Sequence, residues 1–145
     1  NLGNTNEAMS AYNKVIELNP DFATVYLFIG VLQFQKENYI KAKEYYTKAI
    51  EKDKKMIDAY FNRGQIVFST KTTDKKELNS ALEDFKTATK LDAKFIDAYY
   101  STAVIYKNLG EYHLAIKELD KILAIDEQAV NARALKKLLI KKYLN

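Results

Sequence analysis

The stretch "NYIKAKEYYTKAIEKD", residues 38–53, sets Ala42 and Ala49 seven positions apart among Tyr39, Tyr45 and Tyr46. Its apolar residues recur with the i, i+3, i+4, i+7 spacing of an amphipathic helix. Alanine is a good helix former but adds little to a hydrophobic core, so its place on an apolar face needs a physical reason. A small side chain there lets a partner helix approach closely, while the flanking rings fill the gaps on either side. Leu at position 42 would overpack such a contact, at roughly 1–3 kcal/mol. Alanine acts here as a spacer between paired helices.

The same arrangement recurs along the chain. Aligned on the small residue, "NTNEAMSAYNKVIELNP", "ENYIKAKEYYTKAIEKDK", "KELNSALEDFKTATKLDA" and "GEYHLAIKELDKILAIDE" bring Ala8, Ala42, Ala81 and Ala115 into register, at spacings of 34, 39 and 34 residues. A large apolar residue follows four later (Tyr12, Tyr46, Phe85, Leu119), and Val15, Ala49, Ala88 or Ile122 three after that. Each segment closes on Asn19, Asp53, Asp92 or Asp126. A second family of segments alternates with the first: "ATVYLFIGVLQFQK", "IDAYFNRGQIVFST" and "IDAYYSTAVIYKNLG". These share Tyr26, Tyr60 or Tyr99 at the fourth position and Gly30, Gly64 or Ala103 four later. Both families have helical spacing, so the chain reads as antiparallel helix pairs joined by short turns.

This pattern resembles the tetratricopeptide repeat: an aromatic at position 4, a small residue at 8, Ala at 20, an aromatic at 24, a small residue at 27 and often Pro at 32. The resemblance implies an all-α fold, a right-handed superhelical solenoid of antiparallel helix pairs with about three and a half repeats plus a C-terminal capping helix. It implies a single domain over 1–145: a half repeat at 1–22 ending in Pro20, full repeats at 23–56, 57–95 and 96–129, and the cap at 130–145. Lys54, Ala93 and Glu127 stand where Pro is common, Arg63 takes a usually apolar place, and Leu119 and Ile122 replace an aromatic and a small residue. Arg63 is expected to pack its stem between repeats and send its head to water or a carboxylate. The 39-residue copy carries five extra residues around the polar "STKTTDKKE", residues 69–77. They are expected to form a long solvated turn, with Asp74 and Glu77 as a capping box that starts the next helix early.

Composition limits the function. Of 145 residues, 48% are hydrophobic and 29% charged, which suits a soluble globular chain. No apolar run is long enough to span a membrane, and no charged-then-apolar leader opens the chain. Cysteine is absent, which removes disulfides, thiolate metal sites and a Cys nucleophile. A cytoplasmic location is the expectation. The net charge of +4 is unevenly placed: residues 128–145 hold Arg133, Lys136, Lys137, Lys141 and Lys142 with no acid, leaving the rest at −1. Bulk charge therefore does not mark a nucleic-acid binder.

Catalytic constellations are absent from the sequence. His113, the single histidine, falls on the outward side of its helix, and without a second His or a Cys there is no metal cluster of N and S ligands. The glycines form neither phosphate-loop pattern. Lys and Glu alternate on helix faces where i,i+4 pairing explains them. The expectation is a non-enzyme with no catalytic, metal or cofactor-binding residues and no cofactor.

In the family the concave face is lined by the first helix of each pair. Carried over, this implies a peptide-binding groove of Leu27, Phe28, Val31, Phe61, Asn62, Gln65, Tyr100, Ser101, Val104 and Asn108. Exposed rings there would be apolar surface of the kind that marks interaction sites, and Asn62 and Gln65 could hydrogen-bond a ligand's backbone. The family's two-carboxylate clamp for chaperone tails places Lys, Asn, Asn, Lys and Arg at positions here occupied by Leu27, Val31, Asn62, Asp97 and Ser101. Asp97 would repel a carboxylate, so acidic chaperone C-termini are not expected partners. The expected partner is a protein or peptide, with neither nucleic acid nor membrane. Homo-oligomerisation through exposed terminal helices or the groove is the alternative: Met9, Tyr12, Val15 and Ile16 would lack a covering layer in a half repeat, which another copy or an upstream helix would supply. The basic last helix, with Ala132, Leu135, Leu139 and Tyr143 inward, reads as the capping helix; a docking face for an acidic partner or anionic membrane is its sharper reading.

Overall fold

The structure, a computed structural model, describes the backbone of residues 2–143 and the side chains of residues 4–143. Residue 1 of the first half repeat and residues 144–145 of the closing helix lie outside the described residues. Among the described residues there are eight α-helices and no strand: α1 (Leu2–Leu18), α2 (Ala23–Gln35), α3 (Tyr39–Lys52), α4 (Ile57–Thr70), α5 (Lys75–Leu91), α6 (Ile96–Asn108), α7 (Tyr112–Ile125) and α8 (Val130–Tyr143). The chain divides into two compact units, residues 1–72 and 73–145.

In the first unit α2 packs on α1 and α3, and α3 on α4. Its core joins Val25, Tyr26, Leu27 and Ile29 of α2 to Ala42, Tyr46 and Ala49 of α3 and to Ala59 and Ile66 of α4. The spacers are wholly buried: Ala42 and Ala49 expose nothing to solvent. Gly30 shows how close the approach is. A Cβ built on it would lie 2.6 Å from Cδ1 and Cε1 of the Tyr46 ring. Met9, Tyr12, Val15 and Ile16 of α1 pack partly buried against this core.

In the second unit α6 packs on α5 and α7, and α7 on α8. Ala103, Ala115, Leu119, Ile122, Ala132 and Leu139 form a core with Tyr99, Tyr100, Tyr106 and Leu135 partly buried against it. Leu119 and Ile122, departures from the repeat pattern, are fully buried; larger aliphatic volume replaces the ring-and-alanine arrangement seen at Tyr46 and Ala49.

The closing Asn or Asp of each segment has a definite task. Its side chain accepts the amide two residues on, from Asp21 to Asn19, Lys55 to Asp53, Lys94 to Asp92 and Gln128 to Asp126, at 2.8–3.2 Å. These are Asx turns. The same residues' carbonyls accept from Phe22, Met56, Phe95 and Ala129. Each of these turns thus closes without a polar N-cap on the helix that follows. The tyrosine of the next helix adds a clasp: the Tyr26 hydroxyl donates to the Pro20 carbonyl at 2.9 Å and Tyr99 to that of Ala93 at 3.4 Å.

The five extra residues do not make a long turn. The linker between α4 and α5, residues 71–74, is only one residue longer than its counterparts at 36–38 and 109–111. One more residue lengthens α4, at 14 residues against 13 for α2 and α6, and three lengthen α5, at 17 against 14 for α3 and α7. Continuing a helix satisfies backbone groups that an extended loop would leave to water. Asp74 is the N-cap and its carboxylate accepts from the Lys76 amide at 2.8 Å; α5 starts early, as expected.

Candidate functional site

The candidate groove residues lie on the first helix of each pair, and their burial differs. On α2, Phe28 is 46% exposed. Its ring is held by stacking on Tyr12 of α1, centroids 5.9 Å apart and planes inclined by 29°. Val31, three residues on, is partly buried against the first unit's core. On α4, which touches α2 within the same unit, Phe61, Asn62 and Gln65 are half-buried. These five residues share the first unit.

Two expected positions are not open. Leu27 is only 8% exposed, because it lies on the stripe Ala23–Leu27–Gly30, whose i, i+4, i+7 spacing faces the core. Ser101 is 6% exposed between Ala98 and Ile105 of α6, at the repeat position that Phe28 holds on α2. Both are corrections to the expected lining: they support the helices from behind. In the second unit, Tyr100 and Val104 of α6 are half-buried and Asn108 is exposed.

Arg63 packs as its position demands. The guanidinium stands 5.9 Å from the Tyr60 ring centre and donates from Nη1 to the Thr47 hydroxyl at 3.0 Å. Around the Phe28 face the chemistry is that of contact. Val31 and the rings offer apolar area, and Asn62 and Gln65 offer amide donors and acceptors. His113 is exposed. Among the described residues no group of three or more His, Cys, Asp or Glu is placed to hold a metal ion.

One perturbed group sits directly behind this face. Burial pushes the Tyr46 phenol up to about 12 from 10.0, since a phenolate there would be stripped of water. It is a packing tyrosine kept neutral, and its ring is the surface against which Gly30 rests.

A fold of helix pairs with Ala and Gly spacers, and rings set on first helices, defines a helical-repeat interaction module. The family pattern described as "TPR repeat" matches residues 1–37, and that described as "Tetratricopeptide repeat" matches residues 23–55 and 96–128. The chain belongs to the tetratricopeptide-repeat family, an all-α helical-solenoid class whose repeats are typically non-catalytic protein-binding scaffolds. Human Protein O-mannosyl-transferase TMTC3 is 30% identical over 128 residues, covering 87% of this chain; the chain spans 13% of that protein's length. The crystal structure of MamA aligns over 96% of this chain and 78% of its own, with a TM-score of 0.82 and 25% identity. The first TPR of Spaghetti (RPAP3), bound to the HSP90 peptide SRMEEVD, shares the fold at a TM-score of 0.74 and 20% identity, covering 85% of this chain and 94% of its own. Among the described residues no helix is long and apolar enough to cross a membrane.

Proposed function

We propose that the chain is a non-enzymatic scaffold that holds a peptide segment of a partner protein against the face formed by α2 and α4. The observation that carries this is Phe28, a ring half open to solvent yet fixed by stacking on Tyr12. A fixed apolar ring costs little entropy on binding and offers a large contact area. Val31 and Phe61 would receive the ligand's side chains, while Asn62 and Gln65 would hydrogen-bond its main chain. Tyr100, Val104 and Asn108 give α6 a surface of the same kind in the second unit. The RPAP3 domain, which shares the fold, is a precedent for peptide capture. The clamp positions Leu27, Val31, Asn62, Asp97 and Ser101 carry no cation, so the segment is not an acidic chaperone tail. No cofactor is required, and a cytoplasmic setting fits the absence of cysteine.

The test is selection from a displayed random-peptide library. Recovered peptides should bind the wild type and lose at least about tenfold in affinity to Phe28→Ser/Phe61→Ser, since buried aromatic anchors dominate such contacts. Peptides that bind both proteins equally would refute the site. Self-assembly is the second reading, favoured by the partly buried Met9, Tyr12, Val15 and Ile16 on α1. It requires association that grows with concentration.

A further inference from the structure

The closing helix has two faces of opposite character. Ala132 and Leu139 are buried, and Leu135 packs half-buried beside them in the core of the second unit. Turned away from that core are Val130, Arg133, Ala134, Lys137, Leu138 and Lys141, all exposed. Their spacing of i, i+3, i+4, i+7, i+8 and i+11 is the seam one helix presents to another. Val130 is 73% exposed and Leu138 52%, and residues 128–145 contain no Asp or Glu.

We propose that this outward face of α8 docks an acidic amphipathic helix of a partner protein. Charge complementarity selects the occupant. Apolar residues at 130, 134 and 138 alternate with cations at 133, 137 and 141, so a helix carrying Leu or Ile between rows of Glu meets both. Two cations of α8, one of them in the seam, are engaged within the chain: Lys136 reaches Asp120 at 2.5 Å, and Arg133 of the seam donates to the Glu127 carbonyl. Arg133 is thereby anchored at the start of the seam, and Lys137 and Lys141 extend beyond it. The seam is about 17 Å long at 1.5 Å per residue, three turns of a partner helix. A lipid surface fits less well. The wide apolar face that a membrane-lying helix buries is already committed to the core, and only a narrow stripe remains. The rest of the chain, residues 1–127, carries a net charge of −1, so the basic excess of the protein lies in this closing segment. This surface is separate from the α2–α4 face and stands or falls independently of it.

The experiment is a fluorescence-anisotropy titration with a labelled peptide of about three heptads, Leu at a and d and Glu at the flanking positions. The wild type should bind it, with affinity falling steeply as salt rises. Lys137→Glu/Lys141→Glu should weaken binding at least about tenfold, and a peptide with Lys in place of Glu should bind that variant and not the wild type. Leu138→Asn, at an exposed position, should weaken binding without altering the melting curve. Equal binding by wild type and the reversed variant would overturn the proposal. So would equal binding of a scrambled peptide of the same composition, since charge alone would then suffice. Retention on vesicles of phosphatidylcholine and phosphatidylserine with no peptide binding would overturn it in favour of a membrane surface.

Discussion

Gly30 and Tyr46 show at the scale of single residues how the helix pair closes. The flat ring lies where any Cβ at position 30 would have to go, at 2.6 Å. The ring is buried between helices and has no flexible end to swing away. Gly30→Ala should therefore cost about 1–3 kcal/mol by overpacking, despite alanine's better helix propensity. A urea denaturation midpoint equal to or above that of the wild type would show that the ring yields.

The same burial makes a pH prediction. Because the folded state keeps the Tyr46 phenol neutral up to about pH 12 while the unfolded chain ionises near 10.0, the folded state holds more protons between those values. The contribution is fully present below pH 10 and lost as pH rises toward 12. It amounts to about 2–3 kcal/mol over that window. Urea denaturation of wild type and Tyr46→Phe at stepped alkaline pH should give a stability difference that shifts in favour of the variant. A constant difference would place the phenol in water.

At the scale of elements, the turns within the pairs share one conformation that the residues partly conceal. Glu37, Lys71 and Gly110 all adopt positive φ, at 60°, 51° and 80°. Each follows the end of its first helix, and the amide after it returns to the carbonyl five residues before: Asn38 to Gln33, Thr72 to Val67, Glu111 to Tyr106. That is the Schellman closure, which glycine fits without strain. Glu37→Gly and Lys71→Gly should each stabilise the chain by about 0.5–1 kcal/mol, and Gly110→Ala should cost about as much. Thermal unfolding of the three variants checks the signs. Destabilisation by both glycine substitutions would mean that the lost side-chain contacts outweigh the strain.

These elements also show what the sequence could disclose. Alanine spacers and the closing Asn or Asp were legible because they recur at fixed register and have one physical role each. Positive φ at Glu37 and Lys71 was not, since neither residue type announces a left-handed turn. The five-residue insertion misled for a similar reason: a polar stretch suits a solvated turn and an exposed helix face alike, and only backbone hydrogen bonding decides. Among the groove candidates, the face of a helix was readable but its cover was not. Leu27 and Phe28 are neighbours, both large and apolar, and only packing against the core separates a buried support from an exposed ring.

For the whole molecule, an interaction scaffold should be a monomer whose rings are open to a partner. Sedimentation velocity over a wide concentration range should give one concentration-independent species, identical for wild type and Phe28→Ser/Phe61→Ser. Association lost in the variant would make another copy the occupant of that face. A peptide of sequence SRMEEVD should show no salt-sensitive binding. Asp97 would repel its carboxylates and no clamp cation is in place.

The most direct measurement is amide chemical-shift mapping of the protein with a library-selected peptide. The largest perturbations are expected at Phe28, Val31, Phe61, Asn62 and Gln65, and they should vanish in Phe28→Ser/Phe61→Ser. Perturbations confined to the second helices of the pairs, α3, α5 and α7, with those five residues silent, would contradict the assignment of the binding face.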